Sequence, residues 1–477
     1  MNGEIKKIIT PEMAEEIYYK GRVKVVGIIV DLSEAIVALS EEVNSLRAQV
    51  NQNSKNSSWP PSSDPPNSNT YSGTDKTSGR KPGGQPGHEG KHRLLIPIEK
   101  VNQIIIVKPE SCWQCGKYLE GDDKNPLRHQ VIEIPKPEAH TTEYQIHSLK
   151  CFCGETTSGV LPEGVPTGNF GFRPTATIGA ASGIYHLSKR NILSLMKDWF
   201  GVDLSLGSIS ACEQKVSEAL QETYEEAHQF AQTQPVKYAD ETGWRENRKK
   251  AWLWCMVTGT ICVYMIRLGR GKIVAKELLG RVLGFLVTDR WHAYNFWSIK
   301  KRQICWAHLL RLFQYFSECP GKTNKIGNQL LLNAKMMFKW WHKVRDGTIS
   351  RKTFLKKMIP LKIKIEGLLE MGAQSEIKKV SGSCKRILKL KPALWVFVYK
   401  VGVEPTNNTG ERAIRKGVLW RKGSFGTHST LGSFFVERIL TVSTSLRMQE
   451  RNVSDFITAS IHAHAFSQQK PSLIFLN

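Results

Sequence analysis

PVKYADETGWRENRKKAWLWCMVTGTICVYMIRLGRGKIVAKELLGRVLGFLVTDR, residues 235–290, is the stretch on which the fold turns. Residues 236–239 form a short strand-like run that stops at Asp240. Two longer apolar runs, 252–258 and 261–267, meet at Gly259-Thr260 and read as a hairpin. Residues 273–279 carry apolar positions at helical spacing and end at Gly280, and 284–288 reads as one more strand, closed by Asp289.

Strand, hairpin, helix and strand in that order outline an RNase H-like α/β core. Its first and fourth strands lie side by side, so Asp240 is expected to face Asp289. A third acid, Glu411 in Asn407-Asn408-Thr409-Gly410-Glu411, opens a helix. Phosphodiester chemistry uses such a carboxylate set, because two divalent ions about 3.5–4 Å apart activate the attacking oxygen and stabilise the leaving one. Hard oxygen ligands select Mg2+ or Mn2+. Asp240 is expected to bridge both ions, with Asp289 on one and Glu411 on the other. Glu241 rivals Asp240, but adjacent strand residues point to opposite faces, which leaves one of them for the metals, and Asp240 is the choice. Each acid also has a plainer reading. Aspartates cap turns after strands, Asn408 to Glu411 has capping-box spacing, and Glu411 with Arg415 has the spacing of a helical ion pair. The three together, in this order, favour the site.

Residues of about 309–400, dense in Lys, Leu, Ile, Met and Trp, read as helices inserted into that core. Cys305-Trp306-Ala307-His308 precedes them, and His308 is either a group that positions a phosphate or a water, or a structural histidine. Arg412, Arg415, Arg421 and Lys422 follow the glutamate and suit phosphate contacts, since arginine meets phosphate in bidentate geometry.

Upstream, Val25, Ile29, Leu32, Ile36, Leu39, Val43, Leu46 and Val50 keep a four-three alternation, the seam of a coiled coil and so of a homo-oligomer. Residues 51–92, rich in Asn, Ser, Pro and Gly, read as a flexible linker. Cys112-Trp113-Gln114-Cys115-Gly116 and Cys151-Phe152-Cys153-Gly154 suggest a zinc ribbon in which Cys112, Cys115, Cys151 and Cys153 hold a structural Zn2+. The second pair is tight, so His129, His140 or His147 is an alternative ligand. Helices over 178–187, 189–200 and about 206–225, with Ser205 as a cap, have a helix-turn-helix outline.

The chain has 477 residues, enough for several domains, and 67 Lys plus Arg against 43 Asp plus Glu leave a net charge of +24. Such an excess favours a polyanionic partner, first of all nucleic acid. The apolar stretch 23–39 is broken by Asp31 and Glu34, so no membrane span is expected. A secretory leader is not indicated either, and a cytoplasmic protein, nucleoid-associated when on DNA, is the expectation.

Several of these motifs together resemble the transposases of insertion-sequence family 66. They are the Asn-Ser-Ser-x-Pro-Pro-Ser-Ser-Asp linker, Gly79 to His88, the cysteine pairs, Asp240-Glu-Thr-Gly, Cys305-Trp-Ala-His308 and Asn407-Asn-Thr-Gly-Glu411-Arg-Ala-Ile-Arg415. The resemblance runs from the heptads to about Ile457. It implies a bacterial DDE-type transposase in which Asp240, Asp289 and Glu411 bind metal, water cuts at the element's ends, and the freed 3′-hydroxyls attack target DNA. It also implies terminal inverted repeats held by the ribbon and helical segment, with possible helper proteins of the same element. Arg290-Trp291 departs from the family, where a small residue is expected. A decayed copy that only binds DNA, as a repressor, is the alternative.

The expected organisation is therefore multidomain α/β. A coiled coil (1–50), the linker (51–92), a zinc ribbon (93–160) and a helix-turn-helix-like segment (161–232) precede the catalytic core (233–430). A C-terminal helical segment (431–477) follows it.

Overall fold

The computed structural model describes residues 10–50, 53, 56–57 and 93–474. The linker expectation for 51–92 lies outside the described residues apart from Asn53, Asn56 and Ser57. The helices are α1 Pro11–Tyr19, α2 Arg22–Val50, α3 Phe172–Gly183, α4 Lys189–Phe200, α5 Leu206–Ala219, α6 Gln221–Thr233, α7 Lys272–Leu279, α8 Trp306–Glu318, α9 Gly321–Arg345, α10 Arg351–Gly372, α11 Lys378–Leu388, α12 Val396–Tyr399, α13 Asn408–Ser424, α14 Thr430–Met448 and α15 Val453–Ala465. A two-stranded ribbon pairs β1 Ser148–Lys150 with β2 Thr156–Ser158. The main sheet holds β3 Val236–Glu246, β4 Lys249–Val257, β5 Cys262–Arg267, β6 Phe285–Thr288 and β7 Arg302–Ile304 in the order β5-β4-β3-β6-β7.

Strands β3, β4 and β5 form an antiparallel meander, whereas β6 and β7 run parallel to β3. The first strand is longer than its sequence suggests, so Asp240 lies within it and not at its end. The extension comes from the turn. Asn247 and Arg248 both take positive φ, 46° and 63°, which matches the twist of a two-residue hairpin and lets Glu246 pair with Lys249. Gly284 makes the crossover to β6 possible, for a Cβ there would stand 2.4 Å from the Pro235 carbonyl oxygen. β7 had no clear signature, being three residues long with a charged first member.

The free edge of β5 is covered by α14. The Cys262, Tyr264 and Ile266 amides donate to Ser445 Oγ, Thr441 Oγ1 and Glu437 Oε1 at 3.0, 3.0 and 2.6 Å. Four helical residues rise about 6 Å and two strand residues about 6.7 Å, so every fourth helix side chain meets every second strand amide. A sheet edge that would otherwise template aggregation is thereby satisfied.

Helices α8 to α12 follow β7 as the inserted block. Trp306 and Trp395 are fully buried against each other with ring centroids 5.1 Å apart, and their indole N–H groups donate to Leu394 O and Glu366 Oε1, both at 2.8 Å. Each large apolar body is thus buried with its polar atom paired, the condition under which tryptophan stabilises a core.

Two compact units divide the chain, one of Met1–Thr70, Ile146–Ile192 and Ser205–Asn477, the other of Tyr71–Gln145 and Leu193–Leu204. The described part of the second is mostly irregular, and Val131, Ile132 and Ile134 are exposed in it and form no strand. In α2 the seam residues Ile29, Leu32, Ile36, Leu39 and Val43 are exposed. The expected helix at about 206–225 breaks at Leu220 into α5 and α6, with Ser205 Oγ capping α5 by accepting from the Ser208 amide at 3.0 Å. One face of α5, carrying Ile209, Cys212, Val216 and Ala219, is buried against α3 and α14. No helix among the described residues is long and apolar enough to cross a membrane.

Candidate active site

The parallel pairing of β3 and β6 matches Tyr238 with Val287. Two residues beyond that last pair stand Asp240, within β3, and Asp289, the residue that follows β6, so both acids lie just past the paired stretch on neighbouring strands. Glu411 comes from the first turn of α13, which packs across β3 and β4.

Burial and the fields of Glu241, Asp289 and Glu411 hold the Asp240 carboxyl well above the usual carboxylate range. Asp240 thus feels the charge of three other acids. Among the described residues no ion pair involves Asp240 or Asp289. Their oxygens instead accept backbone amides, Asp240 Oδ1 from Glu241 at 3.0 Å and Asp289 Oδ1 from Trp291 at 2.9 Å. Asp240 and Asp289 thus have no ion-pair partner, whereas Glu241 is paired with Arg270 and Glu411 lies beside His308. Among the described residues Asp240, Asp289 and Glu411 are not a group whose ligand atoms all lie within 4.8 Å of one another, although their oxygens are of the hard type that suits a divalent cation.

Glu241 is turned to the other side of the strand, as alternation requires, yet it stays within the field of the cluster. Burial and Asp289 raise its pKa, while Tyr294 and Arg270 oppose them. Arg270 donates Nη2 and Nε to Glu241 Oε1 at 2.9 and 3.1 Å, and Tyr294 donates its hydroxyl to Oε2. The guanidinium is stacked between Trp252 and Trp291, 4.4 and 3.9 Å from the ring centroids. Trp291 is thus a wall of this cation sandwich, which gives the unexpected Arg290-Trp291 pair a structural job.

Asn407 and Cys305 went unread as site residues. The Asn407 side chain makes no cap hydrogen bond; its Nδ2 reaches the Ala239 carbonyl at 2.9 Å, and its backbone amide donates to Cys305 Sγ at 3.1 Å. Cys305 Sγ lies 3.7 Å from Glu411 Oε1, and His308 Nδ1 lies 3.5 Å from the same oxygen. Burial pushes the Cys305 thiol up to about 12, and burial with Arg311 pushes the His308 imidazole down. Cys305 is therefore a neutral thiol near pH 7. The Cys-x-x-His spacing was the available signal, since it sets Cys305 just before α8 and His308 in its first turn.

Of the basic residues, Arg412, Arg415 and Lys422 are exposed, and no ion pair between Glu411 and Arg415 forms. Arg421 is half-buried, with Nη1 donating to Gly243 O and to Thr242 Oγ1. It ties α13 to β3. The cysteine pairs sit in tight turns, Cys112 and Cys115 in one unit and Cys151 and Cys153 in the other. Hydrogen bonds from the Cys115 and Cys153 backbones lower the Cys112 and Cys151 thiols.

A family model described as Transposase IS66 family matches residues 184–433, more than half of the chain. The chain belongs to that family. Its membership makes DNA the expected partner and transposition the expected activity. Within the matched segment of this IS66-family chain lie Asp240, Asp289, Glu411 and the inserted helices. A second model, a family of unknown function (DUF6444), matches residues 14–94, which include α2. Among curated proteins none matches the chain.

Proposed function

We propose that this chain cuts the ends of a mobile DNA element and joins the freed 3′-hydroxyls to target DNA, using Asp240, Asp289 and Glu411 as the metal-binding carboxylates of an RNase H-like core. The observation that supports the reading is the β3–β6 register, whose last pair, Tyr238 with Val287, stands two residues before Asp240 and Asp289, while Glu411 adds to the field on Asp240. These acids raise one another's charging cost and, among the described residues, none is ion-paired with a lysine or arginine, a state that bound Mg2+ or Mn2+ would relieve.

When bound, the ions lower the pKa of the attacking water or 3′-hydroxyl and neutralise charge on the scissile phosphodiester. The protein's part is to hold the ligands still. Asp240 is fixed by the sheet, Asp289 by the bond of its carboxylate to the Trp291 amide, and Glu411 by α13. Buried Arg302 sets the turn after β6 by donating to the Asp289 and Trp291 carbonyls at 2.8 and 3.1 Å. Arg412, Arg415 and Lys422 are the groups for DNA phosphates, with His308 beside Glu411. The exposed α2 seam is the route to a homo-oligomer, and the cysteine pairs and α3 to α5 are the parts that grip inverted repeats, with Zn2+ on the thiolates.

The test is Mg2+-dependent cleavage and strand transfer on labelled DNA carrying the element's ends. Asp289→Asn is expected to lower both by roughly 10³-fold or more, because it removes a metal ligand worth several kcal/mol in the transition state. Wild-type protein that binds the ends but makes no product with Mg2+ or Mn2+ would instead support a DNA-binding role without catalysis.

A further inference from the structure

Among the described residues one group of three His, Cys, Asp or Glu side chains brings its ligand atoms within 4.8 Å of one another, namely Cys305, His308 and Glu411. We propose that these three form a site for a thiophilic divalent cation of the zinc class, separate from the hard-cation site of Asp240 and Asp289, and that filling it withdraws Glu411 from the carboxylate cluster. The second half of this statement rests on the role given to Glu411 above, whereas the binding itself does not.

The distances fit. In a tetrahedral zinc site with metal–N and metal–O bonds of about 2.0 Å and a metal–S bond of about 2.3 Å, neighbouring ligand atoms stand roughly 3.3–3.5 Å apart. Here Glu411 Oε1 is 3.5 Å from His308 Nδ1 and 3.7 Å from Cys305 Sγ, each within a few tenths of an ångström of those spacings, and the Cys305 and His308 ligand atoms lie within 4.8 Å of one another. His308 Nδ1 is buried with no hydrogen-bond partner, although it points toward Glu411. A buried ring nitrogen left without a partner is available to a metal.

One contact favours a ligating sulfur, against the burial and the Glu411 charge that otherwise keep the thiol protonated. The Asn407 amide donates to Cys305 Sγ at 3.1 Å, the kind of backbone bond that supports a ligating sulfur. As the cation binds, the S–H proton passes to solvent and the sulfur becomes the ligand. Three protein ligands leave a fourth position, and Glu411, 35% exposed at its side chain, opens the site to water. Mg2+ has no use for the sulfur, which is why a cation able to occupy this group is chemically distinct from the one that serves phosphoryl transfer. The plainer account is that the Cys305 thiol only donates a hydrogen bond to Glu411, and it predicts no metal.

The experiment is Co2+ titration of metal-stripped, full-length protein without DNA, read by thiolate-to-cobalt absorption and bound-metal stoichiometry. Wild type is compared with Cys305→Ser, His308→Gln and Glu411→Gln. Each variant is expected to bind about one equivalent fewer than wild type, the other cysteines contributing equally to all four proteins. Equal stoichiometry and absorption in all four overturn the proposal. Should Cys305→Ser misfold, the two partly exposed positions give the same answer alone. A second arm titrates Zn2+ into Mg2+-supported strand transfer, where Cys305→Ser should need at least about 10-fold more Zn2+ for half inhibition. Unchanged sensitivity overturns the withdrawal of Glu411. The cobalt arm requires no turnover, so its outcome is independent of whether the chain moves DNA.

Discussion

Asn407 Nδ2 donates to the Ala239 carbonyl at 2.9 Å, joining the residue before α13 to the residue before Asp240. At the far end of the same helix the Thr427 amide donates to the Arg245 carbonyl at 2.9 Å, and the Asn247 amide to the Thr427 carbonyl at 2.8 Å. Helix α13 is therefore fastened to β3 at both ends. Between those anchors the positions of Glu411 and Asp240 are set by backbone geometry, which matters because two like charges will not hold each other in place.

Asn407→Ala is expected to leave the Ala239 carbonyl without its partner in a buried place, at a cost of about 1–3 kcal/mol in denaturant unfolding. The larger effect should fall on chemistry, since a shift of about 1 Å at a reacting group costs on the order of 10²-fold in rate. Strand-transfer kinetics and end-binding assays on the same protein check this. Equal losses of binding and rate would mean that Asn407 supports the fold alone.

Asp240→Asn should stabilise the metal-free protein and weaken its response to metal. In the folded state Asp240 holds its proton more tightly than in the unfolded chain, because burial and three neighbouring acids oppose its charge. Its contribution is therefore present at low pH and lost as pH rises through the elevated value. Above that value the ionised carboxylate destabilises the apo fold, and the amide removes this strain. A ligand at 100 times its dissociation constant adds about 2.7 kcal/mol to stability. Thermal melts at pH 8 with and without Mg2+ should show the larger gain in wild type; equal gains would remove Asp240 from the metal site.

The chemistry was more legible in the chain than its supports were. The strand and helix order around Asp240 and Asp289 followed from apolar runs punctuated by Gly259, Gly280 and Gly284, because turns and strands are local. The full length of β3 did not, since Arg245, Glu246, Asn247 and Arg248 read as a polar loop until pairing with β4 extends the strand over them. Asn407 looked like part of a helix start, yet its partner lies 168 residues away. The same holds for Arg270 and Glu241. Long-range polar bonds leave no periodic trace in sequence.

Arg270→Ala should be among the most damaging changes near the site, because it strands the Glu241 carboxylate, whose side chain is 1% exposed. Removing one partner of a buried pair costs about 3–5 kcal/mol. Arg270→Lys keeps the charge but gives up the two-nitrogen contact and the stacking between Trp252 and Trp291, and an intermediate loss is expected. Adding Glu241→Gln to Arg270→Ala should restore part of the stability by removing the unpaired charge. A double variant no more stable than Arg270→Ala would show that stacking alone carries the effect.

Glu437 should make metal-free stability fall with rising pH. Burial raises its pKa from an ordinary 4.5 to about 7, even though the Arg267 guanidinium 2.9 Å away favours the charged form. The folded protein thus binds this proton more tightly than the unfolded chain does. The contribution is complete below about 4.5 and disappears as pH passes about 7. At about 1.4 kcal/mol per unit the swing is on the order of 3 kcal/mol. Glu437→Gln keeps an oxygen to accept the Ile266 amide and carries no charge, so the edge of β5 stays covered. Urea unfolding of wild type and variant between pH 5 and pH 8 isolates the swing from that of Asp240, which both proteins share. Wild type should lose ground to the variant from pH 5 to about 7 and level off above that. Parallel stability curves would mean that Arg267 compensates the buried charge in full.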